Sequence, residues 1–102
     1  RIIMPGVKIV ERWAFGLCIN LTDVECGKLG IIKNGAFFGC SSLVSMKLPS
    51  AEIVERHAFV SCKALTDVRF GNKLERFAEM AFKSCSSLER ITIPLKDGII
   101  PD

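Results

Sequence analysis

The 102-residue chain lacks most of the features that mark an enzyme, a metal site or a membrane span. It has one histidine, His57, and its five cysteines form no Cys-x-x-Cys pair of the kind that binds zinc. No apolar run reaches the ~18 residues that indicate a membrane-spanning helix. The first residues, Arg1 to Pro5, also lack the pattern of a signal peptide. We therefore predict no metal, no cofactor and no membrane insertion.

An internal repeat is what the chain does have. The phrase Ala-Phe-x-x-Cys-x-x-Leu starts at Ala14, Ala36, Ala58 and Ala81, so successive units are 22, 22 and 23 residues apart. A segment this short cannot bury its own apolar face, so each unit must stack on the next and share one continuous core. The function of such a stack is expected on its surface.

Apolar columns run through all the units and predict the core. Each unit places Phe, Cys and Leu at the same positions, adds two more apolar columns, and ends in Gly or Pro. The predicted core ladder consists of Phe15, Phe37, Phe59, Phe82, Cys18, Cys40, Cys62, Cys85, Leu21, Leu43, Leu65 and Leu88. We interpret the cysteines as small buried hydrophobes, because a stacked ladder puts the sulfurs in a line whereas zinc needs a tetrahedron. Their parallel side chains are also poorly directed for disulfides.

The last segment of each unit predicts a strand. The pattern Leu-x-x-Val-x-apolar, as in Leu21 to Cys26, alternates inward and outward side chains with the period of two of a pleated strand. The segment Val10 to Phe15 and its copies place apolar residues four and five apart, which predicts a turn of helix or 3₁₀ on the other side. The predicted fold class is therefore α/β, with one parallel sheet and short helical or irregular segments opposite it.

The most complete unit, Ala81 to Pro94, reads Ala-Phe-x-x-Cys-x-x-Leu-x-x-Ile-x-Ile-Pro and resembles the BspA-like leucine-rich repeats, also called the Treponema pallidum type. The resemblance covers nearly the whole chain. It implies a right-handed solenoid, found in surface-exposed or secreted bacterial proteins and in protist proteins, where it binds other proteins or adheres to cells and matrix. Two departures from the family pattern occur. The outer column Ile9, Ile31, Ile53 is usually small or polar, and Asn72 to Glu75 holds one extra residue, which predicts a local bulge.

We predict a single leucine-rich-repeat domain over residues 1–102, with repeats at 7–27, 28–49, 50–71 and 72–94 and partial repeats at 1–6 and 95–102. The chain opens inside a strand and ends in what resembles the start of a further unit, so we expect a fragment of a longer array. The resemblance implies a cell-surface or secreted location, and an intracellular one stays open.

Opposite charges lie next to each other in two columns at the repeat spacing. Glu11, Lys33 and Glu55 form one column, and Glu25, Lys47 and Arg69 form the other, which predicts ion pairs between neighbouring coils. The net charge is only +3. Binding of phosphate groups needs a uniform basic stripe with interleaved aromatic residues, so no nucleic-acid partner is expected.

Catalysis is also not expected. His57 lies on the outer side of the coil, whereas Cys62 points inward, so a Cys–His couple would need one side chain to reverse. A coil with a filled core leaves no cavity that excludes water.

The remaining candidate is the outward face of the predicted sheet. Its side chains are Thr22, Asp23, Glu25, Val44, Ser45, Lys47, Thr66, Asp67, Arg69, Glu89, Arg90 and Thr92. We predict a non-enzymatic protein-interaction module that belongs to an extended adhesive or recognition surface for a protein partner of unknown identity. A structural spacer without a partner, and a fragment that self-associates end to end, are the alternatives. On the opposite side, Trp13 and Phe38 form an apolar patch that is either an interface or a portion of the core.

Overall fold

A computed structural model describes residues 1–93 and 100–101, which form a parallel β-solenoid. We call the repeats 7–27, 28–49, 50–71 and 72–94 coils 1 to 4. The elements in chain order are β1 (Ile2–Ile3), β2 (Ile9–Val10), β3 (Asp23–Glu25), β4 (Ile31–Ile32), β5 (Ser45–Leu48), β6 (Ile53–Val54), β7 (Asp67–Phe70), β8 (Arg76–Phe77), a 3₁₀ helix (Glu79–Phe82), β9 (Arg90–Thr92) and β10 (Ile100–Pro101).

Sheet A has five parallel strands in the order β1-β3-β5-β7-β9, and it is the sheet that the sequence predicted. Its register pairs each residue with the one a full repeat away, as in Met46 with Val68 and Lys47 with Arg69. Val24, Met46 and Val68 point into the core and are buried, while their neighbours along each strand point outward. The period of two in the sequence therefore translates directly into an inner and an outer face.

A second five-stranded parallel sheet, sheet B, takes the order β10-β8-β6-β4-β2. Its strands end where the predicted helical segments begin, as at Val10, and the α/β assignment is wrong because those segments contain almost no helix. Ile9, Ile31 and Ile53 form its outward row, and Val10, Ile32 and Val54 beside them are buried. Each of these strands has only two residues, so the alternation was too short to separate from helical spacing.

The rest of each coil consists of linked turns, which we call the turn side (residues 12–20, 34–42, 56–64 and 79–87). Backbone N–H groups there alternate between two partners. Trp13, Phe15 and Leu17 donate to carbonyls of the next coil at 3.1, 2.8 and 2.6 Å, while Ala14 and Gly16 donate to the carbonyl three residues back. In the interior of a helix every N–H would donate to the carbonyl four residues back. Here half of the donors join neighbouring coils, and only coil 4 carries a short helix, Glu79–Phe82.

The core is a set of stacked ladders. Rings of Phe15, Phe37, Phe59 and Phe82 lie face to face with centroids 5.2 Å apart and interplanar angles of 9°, 2° and 5°. Phe37 and Phe59, in the two middle coils, are fully buried, and the outer two are half-buried. Each coil therefore contributes one ring to a continuous stack, and the burial of that ring depends on its neighbours.

The extra residue of coil 4 lies in a turn. Asn72 and Lys73 form that turn between β7 and β8, and Leu74 after it is fully buried. Beyond the turn the register resumes, with Ile53 opposite Arg76. The predicted bulge thus leaves both sheets unbroken. The predicted closing Pro94 and most of the partial repeat 95–102 lie outside the described residues.

Candidate binding surfaces

The outward face of sheet A presents two rows of polar side chains. One row reads Asp23, Ser45, Asp67 and Arg90, and the other reads Glu25, Lys47, Arg69 and Thr92. Thr22, Val44, Thr66 and Glu89 flank the rows at the point where each strand begins, and the N–H groups of Val44, Thr66 and Glu89 bond the carbonyl of the preceding coil. The sheet backbone thus holds the predicted candidates as a regular grid.

Ion pairs fix the side chains at both ends of this grid. Asp67 lies between two guanidinium groups, with its carboxylate oxygens 3.1 Å from Nε of Arg69 and 3.3 Å from Nε of Arg90. At the other end Arg1 contacts both Asp23 and Glu25. Because each contact restrains an arginine side chain, a partner would bind a surface that is partly ordered.

The predicted charge columns are only partly paired as expected. Glu11 and Lys33 form the predicted pair, with 3.2 Å between Oε1 and Nζ. Glu25 is paired with Arg1, however, and Lys47 is in no ion pair within residues 1–93. Lys47 borders a shallow groove of about 420 Å³ that Asp23, Glu25 and Ser45 also line. The middle of sheet A therefore offers an unpaired cation next to two carboxylates.

The turn side contains backbone that bulky residues rarely adopt. Trp13, Leu17 and His57 have φ of 61°, 59° and 62°, in the left-handed region that favours glycine. Coil 2 places Gly35 and Gly39 at the positions of Trp13 and Leu17, with φ of 67° and 68°. The conformation therefore belongs to the repeat, and coil 1 adopts it with large side chains.

The glycines of coil 2 make room for the side chains of coil 1. A Cβ on Gly35 would lie 2.7 Å from the Trp13 ring, and a Cβ on Gly39 would lie 2.7 Å from a methyl carbon of Leu17. Trp13 also packs against Phe38, with ring centroids 5.2 Å apart and an angle of 56°. Trp13 and Leu17 nevertheless stay 51% and 66% exposed. They form an apolar ridge that is seated on the next coil and open to solvent.

Sheet B has an outward face of a different kind. Its row of Ile9, Ile31 and Ile53 ends in Arg76, and Ile9 is the most exposed of the isoleucines in that row. The Glu11–Lys33 pair borders the row on one side. This sheet repeats one residue type where sheet A changes from strand to strand.

The cysteine ladder makes hydrogen bonds that the sequence did not indicate. The thiols of Cys40, Cys62 and Cys85 each donate to the carbonyl of the Phe in the preceding coil, at 3.1, 3.1 and 3.0 Å. Hydrogen bonding with the neighbouring thiols and burial raise the pKa of the Cys62 thiol. Burial also raises the pKa of Cys26 to about 11. All five cysteines are free, and these two thiols stay neutral at physiological pH.

One known family matches the repeat seen in this geometry. A family model of the BspA type leucine-rich repeat region, in six copies, matches residues 8–101. The chain belongs to this family. Comparisons with curated proteins and with solved structures found no match. BspA type repeats are commonly used in protein interaction, and the parallel-sheet solenoid with its outward grid is a structure of that kind.

Neither a metal centre nor a membrane span is found in the portion of this BspA type solenoid that the structure describes. No group of three or more His, Cys, Asp or Glu residues there could hold a metal ion. Within the same residues, no helix is both long and apolar enough to cross a membrane. His57 is half-buried on the turn side, while the Cys62 thiol is bonded to the Phe37 carbonyl in the core.

The turn side is what sequence reasoning missed in this BspA type chain. Its left-handed positions were not predicted, because Trp13, Leu17, Ser61 and Ser84 are not residues that favour positive φ. A signal was present in coil 2, where two glycines stand four residues apart, at Gly35 and Gly39. Read along their columns, they would have indicated the conformation of every coil.

Proposed function

We propose that the chain is a non-enzymatic protein-interaction module that binds a protein partner through the outward face of sheet A. It would contribute to an extended adhesive or recognition surface. The proposal rests on one observation above all: the outward rows of sheet A differ from strand to strand in charge and polarity. A spacer has no need of such variation, as the isoleucine row of sheet B illustrates.

The arrangement of charge supports this choice of face. At one end of the face the carboxylates Asp23 and Glu25 lie beside Arg1. Toward the other end the cations Lys47, Arg69 and Arg90 outnumber the carboxylates Asp67 and Glu89. A complementary partner surface would be steered into one orientation on the grid. Rigid parallel strands hold the charges at ~4.8 Å spacing, so little ordering entropy opposes binding on this side.

Two observations support a role without catalysis. The Cys62 thiol is hydrogen-bonded inside the core and its pKa is raised, which is the opposite of an activated nucleophile. The grooves on the surface are shallow and open, whereas a catalytic pocket excludes water. The proposal therefore assigns no residue a chemical step.

The test is binding of purified chain to a panel of matrix and cell-surface proteins, measured on a sensor surface. A Lys47→Glu plus Arg69→Glu variant reverses the cations at the centre of sheet A. We expect it to lose ~10-fold or more in affinity for any protein that the parent chain binds. Circular dichroism of the variant checks that the fold is kept.

A matched control places the same change of charge elsewhere. Lys28→Glu plus Lys73→Glu alters two exposed lysines at the corner before sheet B and leaves sheet A untouched. Equal loss in both variants would show a general charge effect and contradict the assignment to sheet A. Absence of binding to every protein of the panel would favour the spacer.

A further inference from the structure

We infer that the turn side carries a second binding site, separate from sheet A, in which Trp13, Leu17 and Ile19 anchor an acidic, apolar segment of a partner protein. Nothing in the proposed role of sheet A requires this site. The inference rests on three observations: an apolar residue in a surface column, strained backbone under its neighbours, and an excess of cations on the same side of the coils.

The first observation is that Ile19 occupies a column that faces solvent in every coil. Opposite Ile19 the other coils have Ser41, Lys63 and Ser86, and all three are exposed. Ser41 and Lys63 belong to the middle coils, which have neighbours on both sides, so stacking does not bury this column. The 57% exposure of Ile19 is therefore a property of its column and not of its place in coil 1.

The second observation is the backbone conformation of Leu17. Its column continues as Gly39, Ser61 and Ser84, and all four residues have φ between 59° and 68°. Left-handed backbone costs a non-glycine residue ~1–2 kcal/mol. In coil 1 this strained position holds a leucine that is 66% exposed, so burial of its side chain offsets little of the strain. Strained residues with exposed side chains are characteristic of binding sites.

Trp13 completes the ridge. Its ring lies on the bare backbone of Gly35 and against Phe38, so the indole is fixed in place while half of its surface faces solvent. Tryptophan is among the residues most enriched at positions that dominate binding energy. A partner would meet a large apolar surface that has already lost its rotamer freedom.

The third observation is the distribution of charge. The turn side contains Arg12, Arg56, Lys63 and Lys83 but only one acidic residue, Glu79. The remainder of the chain has ten basic and ten acidic residues, so the whole net charge of +3 comes from this side. The ion pairs found among the described residues all lie on sheet A or at the end of sheet B. A bound segment would therefore be acidic.

A protein segment fits this site better than a nucleic acid. Leu17 and Ile19 are aliphatic and offer no ring on which a base could stack. The rings of Trp13 and Phe38 lie at 56° to each other, so they do not form a flat platform for successive bases. A second copy of the chain fits less well, because two such cationic sides would repel each other. The occupant that satisfies both features has leucine or phenylalanine side chains flanked by aspartate or glutamate.

The chain carries its own reporter for the experiment. Trp13 is its only tryptophan and it has no tyrosine, so intrinsic fluorescence reports this site alone. The probe is a short synthetic peptide of Leu and Phe alternating with Glu and Asp, titrated into the full chain at low salt. We expect a blue shift of Trp13 emission and protection from acrylamide, both weakened several-fold in ~0.5 M NaCl. A peptide with Lys in place of the acidic residues should give no shift.

Two variants separate binding from folding. Leu17→Ser and Ile19→Ser install serine, which other coils have in these columns, so both should fold as well as the parent. Each variant should bind the peptide with ~10-fold lower affinity, which the fluorescence anisotropy of a labelled peptide measures. Ile3→Ser, which removes an exposed apolar residue from β1, is the matched control and should bind the peptide like the parent.

The inference would be overturned if Trp13 emission did not respond to the acidic peptide, or responded equally to the basic one. It would also be overturned if the Leu17→Ser and Ile19→Ser variants kept the affinity of the parent for the peptide. Tighter binding of a single-stranded oligonucleotide than of the peptide would overturn it as well. A Trp13 shift that depends on protein concentration alone would assign the ridge to self-association instead. Failure of the Lys47→Glu plus Arg69→Glu test on sheet A leaves these outcomes unaffected, because the two surfaces share no residue.

Discussion

Coils 1 and 2 fold the same way and carry different surfaces. Inside, Phe15 stacks on Phe37 with nearly parallel rings. On the turn side, coil 1 has Trp13 and Leu17 where coil 2 has glycines, at the same left-handed φ. The interior columns therefore determine the path of the coil, and the outer columns are free to carry function even at some cost in backbone strain.

The comparison predicts that interior changes are the most damaging. Phe59→Ala removes a fully buried ring from the middle of the stack, and we expect unfolding free energy to fall by ~3–5 kcal/mol. Phe15→Ala should cost less, because Phe15 is half-buried and stacks on one ring among the described residues. Thermal and urea unfolding of both variants measures the difference. Equal losses would contradict the nearest-neighbour stack.

Glycines of one column should respond differently in different coils. A Cβ on Gly71 would lie 2.1 Å from the carbonyl oxygen of Pro49, which is backbone and cannot rotate away. Gly71→Ala should therefore cost ~1–3 kcal/mol through overpacking. Gly27→Ala is the control, since a Cβ there meets nothing within 4 Å. If urea midpoints of the two variants coincide, the close approach of coils 2 and 3 at this corner is wrong.

An interior column that differs between the coils gives a pH effect. Cys26 occupies in coil 1 the position of Leu48 in coil 2, and burial raises its pKa from 9.0 to about 11. Above pH 9 the unfolded chain loses this proton while the folded chain keeps it, so stability falls with rising pH. Between pH 8, below that window, and pH 11, at its upper end, the unfolding free energy should fall by up to ~2 kcal/mol more in the parent than in Cys26→Ala. The buried Cys62 contributes to both proteins and cancels in the comparison.

The smallest effect on stability is expected on the turn side, and with the opposite sign. Leu17→Gly gives coil 1 the residue of coil 2 and relieves the left-handed strain, while the glycine adds entropy to the unfolded chain. We expect no change or a gain of up to ~1 kcal/mol in unfolding free energy. A loss of more than that would mean that Leu17 is a packing residue, and would weaken the case for a binding ridge.

Much of the fold follows from the sequence because its columns are long. Four copies of Phe, Cys and Leu at fixed spacing allow only a stack, and the strands of sheet A show alternation over three or four residues. Sheet B was missed because two residues, such as Ile31–Ile32, cannot display a period. The apolar spacing of the turn-side segments wrongly predicted helix, because many of their backbone N–H groups donate to carbonyls of the next coil and not within a helix.

The candidate sites were predictable to different degrees. Outward positions of sheet A follow from the period of two, so its grid could be written from the sequence. The partners of those charges could not, because side chains such as Arg1 reach across from a neighbouring strand. The ridge of Trp13 and Leu17 depends on φ values that only the structure provides, although the glycines of coil 2 mark the same positions.

The hydrogen bonds between coils have a mechanical consequence. On sheet A, on sheet B and on the turn side, these bonds run along the stack and join each coil only to its immediate neighbours. A pull along that direction loads the coil interfaces in series, so the coils would separate in succession. An array of such coils would therefore lengthen stepwise under tension along the stack.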